Sequence, residues 1–144
     1  MSERIVLLRK LEELDSYLAE LERLRQHTFD ELGTSLHLRW SIEHGLQLSI
    51  QIVLDVGNLI LAALGEHDIE DYAEVIEKLG EHGIIPKDFS ARIRGMAGFR
   101  NILVHEYAEV NLREVYRILQ ERLDDFLEFA RYAGNHIIER MERE

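Results

Sequence analysis

The sequence predicts an all-α protein, an up-and-down bundle of about five helices. Apolar residues recur at spacings of three and four through most of the 144 residues. The single proline, Pro86, leaves long helices uninterrupted elsewhere. Only short breaks separate the periodic segments, which favours helices that pack against their neighbours in the chain. With no internal repeat or linker, residues 1–144 are predicted to form one domain.

The first predicted helix runs from about Ser2 to His27. Its leucines share one face, because they are three or four residues apart: Leu7, Leu11, Leu14, Leu18 and Leu21. This row of leucines resembles the interface of a coiled coil. We predict instead that it packs against other helices of the same chain.

The second predicted helix, from about Leu36 to Leu64, is apolar on most sides, as a central helix should be. Alternating apolar residues in this segment also allow an interpretation as strands. Its polar residues fall at steps of four, four, four and three, which makes one stripe on a helix and nothing coherent on strands. They are Glu43, Gln47, Gln51, Asp55 and Asn58. The pattern therefore predicts a helix.

Three further helices are predicted in the second half of the chain. The third covers about Tyr72 to Glu81 and ends at the glycine signals Gly80 and Gly83. Pro86 suits the first turn of a fourth helix that continues to about residue 104. Asn111 is the predicted N-cap of the fifth, which reaches nearly to the C-terminus.

Composition excludes several functional classes. The absence of cysteine excludes disulfides and thiolate metal sites and fits a reducing compartment. The histidines show no metal-ligand spacing, so neither a metal nor a cofactor is expected. The N-terminus lacks the apolar core of a signal peptide. No segment approaches the roughly 20 apolar residues of a membrane span. A cytoplasmic protein without a membrane partner is the expectation.

The net charge of −11 argues against a surface that coats nucleic acid broadly. A local basic site remains compatible with it. Residues 87–100 contain four basic residues and one acidic residue, a local excess of +3. A solvated basic face explains this excess as well as a phosphate site does.

The fourth helix has one anomalous residue, Arg100, in the middle of its apolar stripe. The other members of the stripe are apolar: Phe89, Ile93, Met96, Ala97, Leu103 and Val104. Burying an unpaired guanidinium costs several kcal/mol. Arg100 therefore needs an anionic partner, for which Asp55 is a candidate, or it faces a site or another subunit.

A second face of this helix carries Gly95, Gly98, Asn101 and His105. The amide of Asn101 is one turn from His105 and can orient its imidazole. On a regular helix Arg100 and His105 lie about 140° apart, so one straight helix does not easily aim both at one atom. A groove at the helix end solves this problem, as do two copies of the helix meeting across a two-fold axis. We favour the dimer.

Arginine and histidine suit phosphoryl transfer without a metal. A histidine can take a proton from a ribose 2′-hydroxyl or give one to a leaving oxygen. An arginine suits the extra negative charge of a pentacovalent phosphate. RNA supplies its own nucleophile, so the expected product end is a 2′,3′-cyclic phosphate.

The spacing Arg-x4-His is weak evidence alone, because it also occurs at Arg39/His44 and at Arg131/His136. Only Arg100/His105 continues to a tyrosine, Tyr107, and only it follows a Gly-Phe pair. The stretch from Gly98 to Tyr107 resembles the R-x4-H-x-Y signature of HepT-like HEPN toxins. The segments Glu43–Leu48 and Asp55–Gly57 are also similar to that family. The resemblance covers essentially the whole chain.

The resemblance implies a helical bundle that dimerises around its motif helices. It implies that Arg100 and His105 are the ribonuclease residues, and the spacing of Asn101 from His105 makes Asn101 a supporting residue of the same site. It also implies that an MntA-like nucleotidyltransferase antitoxin silences the toxin by transferring AMP to Tyr107, where the bulky negative charge repels RNA phosphate. The implied substrate is RNA, with tRNA and mRNA both open, and a higher complex with the antitoxin is compatible with the resemblance. Two alternatives remain: a non-catalytic HEPN module that binds a nucleotide or protein, and a purely structural helical dimer.

Overall fold

A computed structural model describes residues 2–105 and 110–141, and every regular element in those ranges is an α-helix. The all-α prediction is confirmed. The helices are α1 (Glu3–Leu24), α2 (Phe29–Thr34), α3 (Leu36–Ala63), α4 (Tyr72–Glu81), α5 (Lys87–Ile93), α6 (Gly95–His105), α7 (Leu112–Glu121) and α8 (Leu123–Arg140).

The bundle is built around α3, which packs against α1, α4, α6 and α8. Leu46, Val53 and Leu54 on this helix are completely buried. By length and composition α3 also suffices to cross a bilayer, with a mean hydropathy of 1.6 over its most apolar window. However, 56% of that window is buried inside the fold, as expected for the core helix of a bundle.

The short helix α2 lies in a break between two predicted helices. Its N-terminus carries a capping box: the Thr28 hydroxyl accepts from the Glu31 backbone N–H at 3.2 Å, and the Thr28 N–H donates to the Glu31 carboxylate at 3.0 Å. These two bonds satisfy N–H groups that a helix start leaves unpaired. The Thr-x-x-Glu spacing of residues 28 and 31 is the sequence signal of this helix start.

The fourth and fifth predicted helices are each divided in two, at Arg94 and at Arg122. At the second division the Arg122 side chain donates to the Asp125 carboxylate at 2.7 Å and to the Arg92 carbonyl at 3.0 Å. These contacts of Arg122 with α5 and α8 fix the bend between α7 and α8. Local apolar periodicity does not predict such contacts. The predicted N-cap is confirmed, because Asn111 Oδ1 accepts from the N–H groups of residues 113 and 114.

Gly80 and Gly83 have different roles at the end of α4. Gly83 adopts a φ of +72° just after the helix, the left-handed conformation that glycine takes readily. Gly80 lies within α4, where a β-carbon would be only 2.8 Å from the Ser90 β-carbon. The Ser90 hydroxyl also donates to the Ile76 carbonyl at 2.8 Å. Gly80 therefore allows α5 to approach α4 closely, and α5 leads directly into α6.

Replacing Gly80 with alanine is expected to lower the free energy of unfolding by about 1–3 kcal/mol, because the added methyl overpacks the contact with Ser90. Chemical denaturation measures the change. Gly134→Ala is the matched control, since its β-carbon meets Leu11 at an ordinary 3.8 Å. That variant should be neutral or gain up to about 1 kcal/mol from helix propensity. Equal stability of the two variants would contradict the close-packing explanation.

Candidate functional site

Helix α6 carries the predicted site residues and packs against α3 and α4. Ala97 and Leu103 are buried and anchor the helix to the core. Arg100 lies between them along the chain and is half-buried, whereas Asn101 and His105 are exposed. The apolar stripe interrupted by an arginine is therefore present in the structure.

Three segments surround the guanidinium of Arg100. Its Nε donates to Gln51 Oε1 of α3 at 2.9 Å. Its Nη1 donates to Asn101 Oδ1 at 3.1 Å. Its central carbon lies 5.0 Å from the centre of the Tyr72 ring, the first residue of α4, which is within cation–π range. The side chain is thus held at its edge and on its face.

These contacts orient Arg100 without cancelling its charge. Gln51 and Asn101 present neutral amide oxygens, and no ion pair joins Arg100 to a carboxylate in residues 2–105 and 110–141. The predicted alternative was an ion pair with Asp55. The structure places the Gln51 amide between the two, with Gln51 Nε2 donating to Asp55 Oδ1 at 2.8 Å.

Two neighbouring arginines form ion pairs with carboxylates instead. Arg92 pairs with Asp125 at 3.2 Å and with Glu128 at 3.0 Å. Burial lowers the pKa of Arg92, but the charges of these two carboxylates outweigh it and raise that pKa above its ordinary value. Arg94 pairs with Glu77. These carboxylates therefore largely compensate the local basic excess of residues 87–100, whereas Arg100 has no carboxylate paired with it in the described residues.

His105 is the last residue of α6, and its side chain is exposed. The sequence suggested that Asn101 orients this imidazole. In the structure the Asn101 oxygen accepts from Arg100, and no bond from Asn101 to His105 is found in the part of the chain described. Tyr107, the predicted AMP acceptor, lies outside the described residues.

Sequence reasoning did not identify the residues that contact Arg100 from α3 and α4. Gln51 stood in the predicted polar stripe of α3, but nothing in the sequence linked it to a residue 49 positions later. Tyr72 gave no signal beyond its place after Asp71, the N-cap of α4. Within the described ranges no group of three or more histidines and carboxylates is arranged to hold a metal ion.

The two helices that carry these residues also expose large apolar side chains. On α3, Leu36 is 59% exposed and Trp40 is 62% exposed. On α6, Ile102 is 36% exposed. Ile102 is two residues from Arg100 and therefore borders the site, whereas Trp40 precedes Gln51 by eleven residues, about 16 Å along α3.

Comparison with known proteins places this chain in a family. Residues 14–133 match the family model described as "Ribonuclease HepT-like". A protein named tRNA nuclease HepT from Aphanizomenon flos-aquae is 25% identical over 136 residues, covering 94% of this chain and 92% of that protein. A protein named mRNA nuclease HepT from Shewanella oneidensis is 29% identical over 92 residues, covering 64% and 69%.

Solved structures share the fold. YutE from Bacillus subtilis, described as a cytosolic protein of unknown function, superposes with a TM-score of 0.82 at 17% identity, covering 94% of this chain and 90% of that one. A tri-AMPylated HEPN toxin from Shewanella oneidensis, solved in complex with its MNT antitoxin, gives a TM-score of 0.81 at 22% identity, covering 93% and 98%.

Proposed function

Because this chain belongs to the HepT-like ribonuclease family, we propose that it is a metal-independent endoribonuclease toxin that uses Arg100 and His105. One observation carries the choice of residues. Arg100 is half-buried yet held by neutral groups, so its positive charge stays available to a phosphate. On the same helix, His105 is exposed and reachable by a ribose hydroxyl.

The proposed reaction is a transesterification within RNA. His105, acting as a base, takes the proton from a 2′-hydroxyl, and the 2′-oxygen attacks the adjacent phosphorus. The bond from phosphorus to the 5′-oxygen breaks, and that oxygen takes a proton from water, while the imidazolium of His105 returns its own proton to solvent. Arg100 stabilises the extra negative charge on the pentacovalent phosphate. The products are a 2′,3′-cyclic phosphate end and a 5′-hydroxyl end.

We propose that the working unit is a homodimer with a composite site. Arg100 faces α3 and α4, whereas His105 is exposed at the end of α6, and the two are about 140° apart around the helix. A second copy can bring its own histidine to this arginine. Ile102, which is 36% exposed and two residues from Arg100 on α6, supports an interface at this face.

The proposed substrate is tRNA or mRNA, the two classes that the names of its relatives give. The proposed partner is an MntA-like nucleotidyltransferase antitoxin, forming a higher complex with the dimer. The AMPylated Shewanella toxin in complex with its MNT antitoxin supports this partner. A cytoplasmic location is also proposed, and the description of YutE as cytosolic supports it.

Cleavage is expected to persist in excess EDTA and to leave 2′,3′-cyclic phosphate ends, because the nucleophile is the RNA's own hydroxyl. The measurement is the digestion of tRNA and mRNA by purified protein with and without chelator, with end-group analysis. Strong inhibition restored by a divalent ion would contradict the metal-free mechanism. Intact RNA with a folded protein would favour the non-catalytic binding module.

Tyr107→Phe is expected to keep cleavage but to prevent silencing, since the substitution removes only the hydroxyl that accepts AMP. The measurement is the incorporation of labelled AMP when the protein is incubated with ATP and an MntA-like antitoxin. Tyr116→Phe is the control and should be labelled like the wild type. Labelling of Tyr107→Phe at the wild-type level would remove the assignment.

A further inference from the structure

The amide that holds Arg100 has a fixed direction. Gln51 Nε2 donates to Asp55 Oδ1 at 2.8 Å, so Gln51 Oε1 faces Arg100 and accepts from its Nε at 2.9 Å. A carboxylate only accepts hydrogen bonds, which prevents the opposite orientation of the amide. Residues 51 and 55 are one turn apart on α3, where side chains meet readily. Three half-buried side chains thus form a chain of hydrogen bonds from α3 to α6.

The neutrality of Gln51 matters for an arginine that must bind phosphate. A carboxylate at this distance would form an ion pair with Arg100, like those that Arg92 and Arg94 form. It would then compete with the phosphate for the guanidinium. An amide oxygen fixes the Nε edge and leaves the net charge in place. The donation from Gln51 to Asp55 also strengthens the amide oxygen as an acceptor.

The N–H donors of the Arg100 guanidinium differ in whether they already make a hydrogen bond. The Nε edge is occupied by Gln51, and one Nη1 hydrogen is occupied by Asn101. Tyr72 covers one face. Of the five N–H groups of an arginine, those of Nη2 make no hydrogen bond within the described ranges. The Nη2 donors therefore have a fixed direction and are available to phosphate oxygens.

We infer that Gln51, oriented by Asp55, is a positioning residue that fixes Arg100 for phosphate while keeping a carboxylate from pairing with it directly. This inference rests on the proposed ribonuclease function. The inference has two parts: the Arg100 side chain must have a fixed direction, and its charge must not be paired with a carboxylate. Different substitutions of Gln51 test the two parts separately.

Steady-state cleavage of a fluorogenic RNA tests the charge requirement. Gln51→Glu, which has nearly the same shape, is expected to lower kcat by about 100-fold, the scale of losing one electrostatic group in a site. Gln51→Ala should lower kcat by only about tenfold, because Arg100 loses its direction but keeps its charge. KM should change less than kcat in both variants. Gln26→Glu, an exposed position beyond α1, is the charge-matched control and should match the wild type.

A double variant separates charge from misfolding. Gln51→Glu places a carboxylate one turn from Asp55, and this repulsion alone can lower the melting temperature. Gln51→Glu combined with Asp55→Asn removes the repulsion while keeping the ion pair to Arg100. Its melting temperature should return towards that of the wild type, and its kcat should stay low.

The Arg100 Nε–H signal in a nitrogen–proton NMR spectrum tests the hydrogen bond without RNA. It is assigned by its loss in Arg100→Lys. The signal should be protected from solvent exchange in the wild type and in Gln51→Glu, and unprotected in Gln51→Ala.

The outcomes are distinct. Cleavage by Gln51→Glu within twofold of the wild type overturns the inference, as does a Nε–H signal that Gln51→Ala leaves protected. If the wild type cleaves no RNA, the proposed function fails. The NMR comparison then decides alone whether Gln51 positions Arg100.

Discussion

Replacing His105 with alanine is expected to lower RNA cleavage by about 100- to 10,000-fold, the usual contribution of a general base or acid. The imidazole is exposed at the last residue of α6, so its removal leaves no cavity. Circular dichroism and the melting temperature should therefore stay near those of the wild type. Cleavage of tRNA and mRNA by purified variants measures the effect.

His67→Ala is the matched control, because His67 is also exposed and lies in the loop between α3 and α4. It should cleave at the wild-type rate. A large loss of stability in His105→Ala would show instead that His105 terminates the helix. Full activity of His105→Ala in a folded protein would remove it from the mechanism.

Replacing Arg100 with alanine is expected to lower kcat by about 100- to 1,000-fold, the scale of removing one donor that stabilises a charged transition state. Arg100→Lys should recover only part of that loss, because an ammonium keeps the charge but lacks the planar fork held by Gln51 and Tyr72. The measurement is steady-state cleavage of a fluorogenic RNA by each variant.

Arg94→Ala is the control on the neighbouring segment. Arg94 is 59% exposed and paired with Glu77, and pairs at exposed sites contribute at most about 1 kcal/mol. Its removal should leave kcat within a few fold of the wild type. An equal loss in Arg94→Ala and Arg100→Ala would indicate general attraction of RNA by basic residues.

Mixing the two inactive variants distinguishes a composite site from a site within one chain. A heterodimer of Arg100→Ala and His105→Ala retains one complete pair if each site takes its arginine from one copy and its histidine from the other. Activity should then reappear on mixing. Mixtures that stay inactive after subunit exchange would place both residues of a site in one chain.

Local patterns predicted the long helices well. The polar stripe and the apolar faces of α3 gave its limits to within a residue, and the predicted limits of α4 were confirmed. The divisions at Arg94 and Arg122 escaped prediction, because apolar periodicity continues through both of them. The bend at Arg122 depends on contacts with Arg92 and Asp125 that form only in the folded chain.

The anomaly of Arg100 was visible in the sequence, but its environment was not. A cation in an apolar stripe requires some partner, and an anion or an open site were the expected solutions. The structure provides a third, a neutral amide backed by a carboxylate, together with an aromatic face from α4. These contacts join residues far apart in the chain, so spacing alone does not reveal them.

The exposure of Trp40 gives the molecule an intrinsic optical reporter. It is the chain's single tryptophan, and 62% of it is in contact with water. An indole emits at longer wavelength in water than in an apolar contact. Any molecule that covers this part of α3 therefore shifts the whole tryptophan emission of the protein to shorter wavelength. Self-association and docking of a non-fluorescent partner can both be followed by this shift in unlabelled protein.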